Sequence, residues 1–175
     1  MRRVNVIVWL LVAALVPALC SQVIASVPKA LGRVASAATE VPYPTGYRRW
    51  THIRTMLVGP QSSFFETSGG IHHIYANDKA MEGYASGTFP DGAVMVFDLL
   101  NVKEKDGVTA EGARQRIDVM LKDSKLFAAT GGWGFERFAG DSETDRPLTE
   151  EHRKLCFACH EQRKDHAYVF STFRK

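Results

Sequence analysis

Near the carboxyl end the chain reads Cys156-Phe157-Ala158-Cys159-His160, the C-x-x-C-H attachment pattern for a c-type haem. Two thiols three positions apart can form thioethers with the two vinyl groups of one porphyrin. The histidine beside the second thiol is then carried under the iron as an axial ligand. The iron would supply redox or gas-binding chemistry and the chain would tune it. Other chemistries use cysteines at this spacing. A redox dithiol of thioredoxin type sits at a helix N-terminus in a βαβ setting, and here the motif lies near the chain's end. A zinc site needs four ligands. Cys156 and Cys159 with His152 or His166 can be assembled on paper, but there is no second C-x-x-C. A disulfide across two intervening residues is a strained loop. Haem c, with its iron, is therefore the cofactor expected, with Cys156 and Cys159 attaching it and His160 as the metal ligand.

The amino terminus points the same way. Met1-Arg2-Arg3 is a short basic region, and Val4 to Leu19 is apolar except for Asn5 and Pro17. Val23-Ile24-Ala25 offers small or branched residues for processing, so residues 1–25 read as a secretory signal peptide. The apolar run is short for a membrane span of roughly 20 residues, and a retained anchor is the alternative. Loss of residues 1–25 takes Cys20 with it, leaving two cysteines, both in the motif. An exported, periplasmic protein with only those two thiols suits haem attachment. The same cut removes two arginines and no acid, so net charge falls from +3 to +1. That is no signature for a nucleic-acid partner.

The remaining 150 residues fit one domain. Residues 26–43, rich in Ala, Ser, Val and Pro, read as a tether, and residues 44–175 as the haem domain. Strands are expected over Tyr47–Val58, Ile71–Ala76, Ala93–Val102, Trp133–Phe138 and Val169–Phe173. Asn77-Asp78 should cap a short helix over Lys79–Ala85. Ala110–Met120 fits helical spacing better than strand spacing. Asp123 or Ser124 should cap a turn of helix through Ala129. Thr149, followed by Glu150 and Glu151, is an N-cap for a helix through the haem motif. That helix would set His152, Cys156, Cys159 and His160 on one face. The fold expected is α+β, mainly antiparallel sheet with short helices, with the c-type haem carried on a C-terminal helix.

Three elements together resemble the cytochrome P-460 family, including its cytochrome c′-β branch. They are Pro44-x-x-Tyr47-Arg48-x-Trp50, Phe89-x-Asp91-Gly92 before an alternating strand, and Cys156-x-x-Cys159-His160 with Val169-Phe170-x-x-Phe173 downstream. The resemblance spans about Pro44 to Phe173. It implies a mostly β, often dimeric, periplasmic monohaem protein whose motif histidine, here His160, binds iron and whose opposite coordination position is open. In the P-460 branch a lysine is linked to the porphyrin and hydroxylamine is oxidised. The c′-β branch lacks the link and binds gases such as nitric oxide. The linking lysine lies five positions beyond the glycine of the Asp-Gly turn, and counting from Gly92 lands on Phe97. A phenylalanine cannot form the link. By the resemblance it would stand over the porphyrin and limit access to iron. Lys79, Lys103 and Lys105 are the nearest other lysines and read as surface positions. Alternation puts Ala93, Met95, Phe97 and Leu99 on one strand face, and Val94, Val96 and Asp98 on the other. The first face could line an apolar pocket, though a strand phenylalanine is usually core.

Three functions follow from such an iron. A gas-binding cytochrome needs a vacant position in an apolar, donor-free pocket, which disfavours polar ligands. An oxidoreductase acting on hydroxylamine or a related nitrogen oxide needs a proton acceptor and passes electrons to a redox partner such as another cytochrome. Its candidate acceptors are His52, His72, His73, Arg54, Glu136 and Arg137. An electron carrier needs a sixth protein ligand, for which Met95 is the candidate, with Met56, Met81 and Met120 as core filler. Arg48, Arg49 or Arg153 could pair with the haem propionates. His160 should donate its second ring nitrogen to a carbonyl or carboxylate.

Overall fold

The computed structural model describes residues 40–174. The expected signal peptide and residues 26–39 of the tether lie outside them. Five antiparallel strands follow one another as a meander in the order β1 (Thr51–Val58), β2 (Gly70–Ala76), β3 (Val94–Lys105), β4 (Val108–Lys122) and β5 (Trp133–Ala139). Helices are short: α1 (Phe65–Ser68), α2 (Asp78–Ser86) and α3 (Glu150–Glu161). The class is α+β around an antiparallel sheet, as expected. Among the described residues no helix is long and apolar enough to cross a membrane.

The helix bounds follow their caps. The Asn77 side chain accepts from the Ala80 amide and Gly87, at φ 81°, ends α2. Thr149 accepts from the His152 amide at the start of α3, a contact worth about 1 kcal/mol. α2 turns Ala80 and Gly83 inward. A Cβ on Gly83 would come within 2.1 Å of the Phe89 ring, so that glycine lets the helix lie flat on the aromatic side chain.

The sheet buries both faces. On one, Ile53, Ile74, Ala76, Ala93, Met95, Trp133 and Phe135 form a core, with Met56, Phe97, Met120 and Cys156 packed against it. On the other, Val96, Ile117, Val119 and Phe138 pack against Val41 and Tyr47. Val41 and Tyr43, in the stretch read as tether, are thus already part of the packed domain; Tyr43 meets Phe138 edge-on at 5.1 Å.

Several elements differ from expectation. The first strand starts at Thr51 because Gly46, at φ 75°, and the Pro44 carbonyl fold Tyr47–Arg49 into a 3-10 turn. Ala110–Met120 is strand: Ile117 and Val119 serve one core while Met120 serves the other, so burial on both faces hides the period-two pattern. The Asp123 side chain does accept the Lys125 and Leu126 amides, but only a 3-10 turn, Ala128–Thr130, follows. No strand forms over Val169–Phe173. Val169, Phe170 and Ser171 instead line a cavity over the first sheet face.

Candidate functional site

That cavity has a volume of about 530 Å³, within the range of sites for cofactor-sized molecules. α3 contributes Cys156, Cys159 and His160 to its wall, and β3 contributes Phe97. The fold therefore gathers all four residues singled out in the sequence around one space. The two cysteines are not joined in a disulfide. Burial pushes the Cys156 thiol pKa up, and the nearby Asp118 charge adds to this. Among the described residues no group of three His, Cys, Asp or Glu side chains is gathered to hold a metal ion. The zinc assembly with His152 or His166 therefore has no support: His152 sits at the helix cap beside Thr149 and His166 pairs with Asp165.

His160 is held on three sides. Its Nδ1 lies 2.7 Å from the Tyr168 carbonyl oxygen. A carbonyl only accepts, so Nδ1 donates and Nε2 keeps its lone pair. The ring sits between Phe135 and Phe170, each 5.1 Å away. Burial lowers its pKa, against the pull of the Tyr168 bond. The carbonyl is aimed by an unusual turn: Ala167 and Tyr168 both have positive φ, 53° and 69°, which costs non-glycine residues of order 1 kcal/mol or more each. The Trp133 indole N–H holds the Ala167 carbonyl at 3.0 Å. The Tyr168 ring lies where a Cβ on Gly131 would be, 2.4 Å away. The partner of His160 was not legible in the sequence, because a carbonyl belongs to every residue and only the turn selects this one.

Cross-strand rows organise the sheet wall. Met95 pairs with Met120, and Met120 with Phe135, giving an apolar row. Next to it Ile74, Phe97, Asp118 and Arg137 form a row that turns from apolar to charged. Asp118 accepts from Arg116 Nε at 2.9 Å and from Arg137 Nε at 2.5 Å. Arg54 also lines the cavity. The pocket is thus not donor-free, contrary to expectation: one part is apolar and another carries guanidinium groups. Arg48, Arg49 and Arg153 are absent from the lining. Arg48 pairs with Asp98 and Glu111, and Arg153 with Glu136 and Glu150. Of the proton-acceptor candidates, Arg54, Glu136 and Arg137 reach the lining. Glu136 is buried and held by Arg146 and Arg153. His52 and His73 lie on the opposite face, bridged by the Thr55 hydroxyl at 3.0 and 2.8 Å. Asp118 was missed, since it lies in the stretch read as fitting helical spacing, and only the strand register sets it beside Phe97. Met56 and Met120 join Met95 in the lining. The Met95 sulfur accepts from the Tyr84 hydroxyl at 3.2 Å.

His72 is buried on the cavity side of β2, and burial pushes its pKa down. The unfolded chain protonates it near pH 6.5 while the folded chain resists. The unfolded state then binds more protons, so stability should fall as pH drops below about 6.5 and level off below the folded pKa. Urea unfolding midpoints of the haem-loaded protein between pH 7 and 5 check this; the slope should flatten in His72→Phe.

These residues fit a haem c. Paired thiols and an imidazole with a free Nε2 line one wall, an apolar sheet face opposes them, and guanidinium groups suit two carboxylates. A family model for cytochrome P460 matches residues 44–171. No curated protein matches the chain. The match covers most of the sequence, from the turn before β1 to the segment beside His160, so the chain belongs to the cytochrome P460 family, whose members are c-type haem iron cytochromes, and its cofactor is haem c.

Proposed function

We propose that the chain is a periplasmic monohaem cytochrome that binds nitric oxide or a similar small neutral gas at an open iron position. Cys156 and Cys159 would hold the haem through thioethers, His160 would bind the iron through Nε2, and Arg54, Arg116 and Arg137, which line the cavity, would take the propionates. Haem so held supplies an iron centre able to take a diatomic ligand. The chain's own residues decide which ligand reaches it. His160 is oriented by the Tyr168 carbonyl and clamped by Phe135 and Phe170. Ile74, Met95, Phe97 and Met120 give an apolar stretch of wall, where a polar ligand loses water with no replacement partner, while the guanidinium groups would be occupied by Asp118 and the propionates.

The observation that carries this reading is the make-up of the wall. Phe97 lines the cavity, by the resemblance it stands where the hydroxylamine-oxidising branch has its lysine, and among the described residues no lysine is in the lining. Lys79 is exposed beside Glu82, and Lys103 and Lys105 are exposed near the tip of the β3–β4 hairpin. The electron-carrier reading is weaker because the Met95 sulfur is engaged by Tyr84. Oxidation of hydroxylamine, with a cytochrome as electron acceptor, would need a free base. Both oxygens of Asp118 are taken by arginines.

Export and a homodimer belong to the same proposal. The apolar stretch and processing residues before Ser26 support export. Support for the dimer comes from the hairpin formed by β3 and β4. Pairing with β2 stops at Leu100 and pairing with β5 starts at Arg116. The hairpin between them is mostly exposed on both faces, and a two-stranded ribbon is marginal alone in water.

Mass spectrometry of the haem peptide together with the ferrous spectrum tests the function. Two thioethers and no third bond are expected, with a high-spin ferrous spectrum that shifts on adding nitric oxide or carbon monoxide. A third bond to any lysine, or a low-spin spectrum indifferent to both gases, overturns the reading. Phe97→Lys should alter the spectrum.

A further inference from the structure

We infer that His72 is a positioning residue for Phe97, a fixed stop that sets how far the phenyl ring can retreat when a ligand enters the cavity. The inference rests on the proposed place of Phe97 beside the iron. His72 and Phe97 lie on neighbouring strands and the same sheet face. Their ring centroids are 4.4 Å apart at 74°, a close edge-to-face contact. His72 is 1% exposed, whereas Phe97 is only partly buried. Retreat of the phenyl ring toward β2 is therefore blocked by a side chain with no room of its own.

The imidazole is also tied down. Its Nε2 lies 2.5 Å from the Ser68 carbonyl, so Nε2 carries the proton. The Ser68 hydroxyl is in turn bonded by Arg116 Nη2 at 3.3 Å, and Arg116 is fixed by Asp118. Among the described residues His72 Nδ1 is buried without a partner. An unpaired buried acceptor is a cost that leucine or phenylalanine would avoid. A purely space-filling role does not account for a histidine here. A tethered ring that cannot rotate away does: one nitrogen anchors it, and the anchoring chain runs through Ser68 and Arg116 into the charged part of the cavity wall.

The consequence is size discrimination, read with carbon monoxide as the small probe and n-butyl isocyanide as the bulky one. Releasing the stop should matter more for the bulky ligand. His72→Ala should raise its association rate with the ferrous protein by about tenfold and that of carbon monoxide by much less, within the coupling range of contacting side chains. His72→Phe, which restores a ring without the anchor, should return part of the discrimination. Phe97 ring-flip rates, read by NMR, should rise in His72→Ala, a readout that does not depend on ligand binding. In a Phe97→Ala background the His72 substitution should change neither rate. If Phe97→Ala alone leaves both rates unchanged, the proposed place of Phe97 fails. If Phe97→Ala accelerates binding while His72→Ala alters neither rates nor ring flips, the inference about His72 fails by itself. Equal acceleration of both probes by His72→Ala, with the same effect in the Phe97→Ala background, also overturns it, because the effect is then general loosening.

Discussion

Asp98→Ala should destabilise the protein by about 3–5 kcal/mol, the usual consequence of stripping one partner from a buried ionic cluster, while leaving the proposed gas binding, read with carbon monoxide, almost untouched. Asp98 is fully buried on the sheet face opposite the cavity. Its carboxylate accepts from the Tyr47 hydroxyl at 2.7 Å, Arg48 Nε at 3.0 Å and Arg114 Nε at 2.7 Å. Burial first, and the Asp98 bond second, push the Tyr47 hydroxyl pKa above its ordinary value. Removal of the carboxylate leaves the Arg114 guanidinium, mostly buried, without its main counter-charge. Urea unfolding measures the loss. Asp98→Asn should lose less, since an amide oxygen still accepts from Tyr47. A midpoint unchanged by Asp98→Ala would show that the cluster adds nothing net. An equally large change in carbon monoxide affinity would show that the two sheet faces are not independent.

The same cluster explains why part of this molecule was legible in its sequence and part was not. Tyr47 and Arg48 stand together in the first element of the family resemblance, and both reach Asp98 across some fifty positions of chain. Asp91 and Gly92, in the second, make a staple: Asp91 bonds the Ser124 amide and hydroxyl, each at 2.7 Å, and Gly92 takes φ 86°. Phe89 packs between Tyr84 and Trp133. In the third element Val169 is buried and Phe170 clamps His160. Much of the resemblance therefore records how the scaffold is pinned, and the motif cysteines and histidine record what it is pinned for. Alternation in β3 places Phe97 with Met95 on the cavity face. β3 and β4 both serve both cores, but in β4 Ile117, Met120 and Leu121 recur at a spacing that a helix also satisfies, so its strand period was hidden. The arginine positions failed for another reason. Guanidinium groups near Asp98 and Glu136 serve buried carboxylates, and only the pairing register shows that Arg116 and Arg137 face the other way.

His160→Ala should abolish the native ferrous spectrum without releasing the haem, since Cys156 and Cys159 would still tether it, and added imidazole should restore it. The substitution opens a slot between Phe135 and Phe170, whose centroids each lie 5.1 Å from the lost ring. The two phenyl rings, at 49° and 76° to the imidazole, leave a space shaped to that ring. The Tyr168 carbonyl sharpens the test, because it waits 2.7 Å from the former Nδ1 and only a ligand with an N–H can satisfy it. Imidazole can bond the carbonyl through one nitrogen and the iron through the other. 1-Methylimidazole has a similar ring but lacks that proton. Leaving a buried carbonyl unpaired costs about 1–3 kcal/mol, so 1-methylimidazole should rescue roughly tenfold less tightly or worse. Equal rescue by the two would mean that the carbonyl does not orient the axial ligand and that the aromatic clamp alone does. An unaltered spectrum in His160→Ala would remove His160 from the iron altogether. The strained turn at Ala167 and Tyr168 makes the first outcome the expected one: two residues held at positive φ, tied back by Trp133, aim one acceptor at one nitrogen, and that arrangement keeps Nε2 free for the metal.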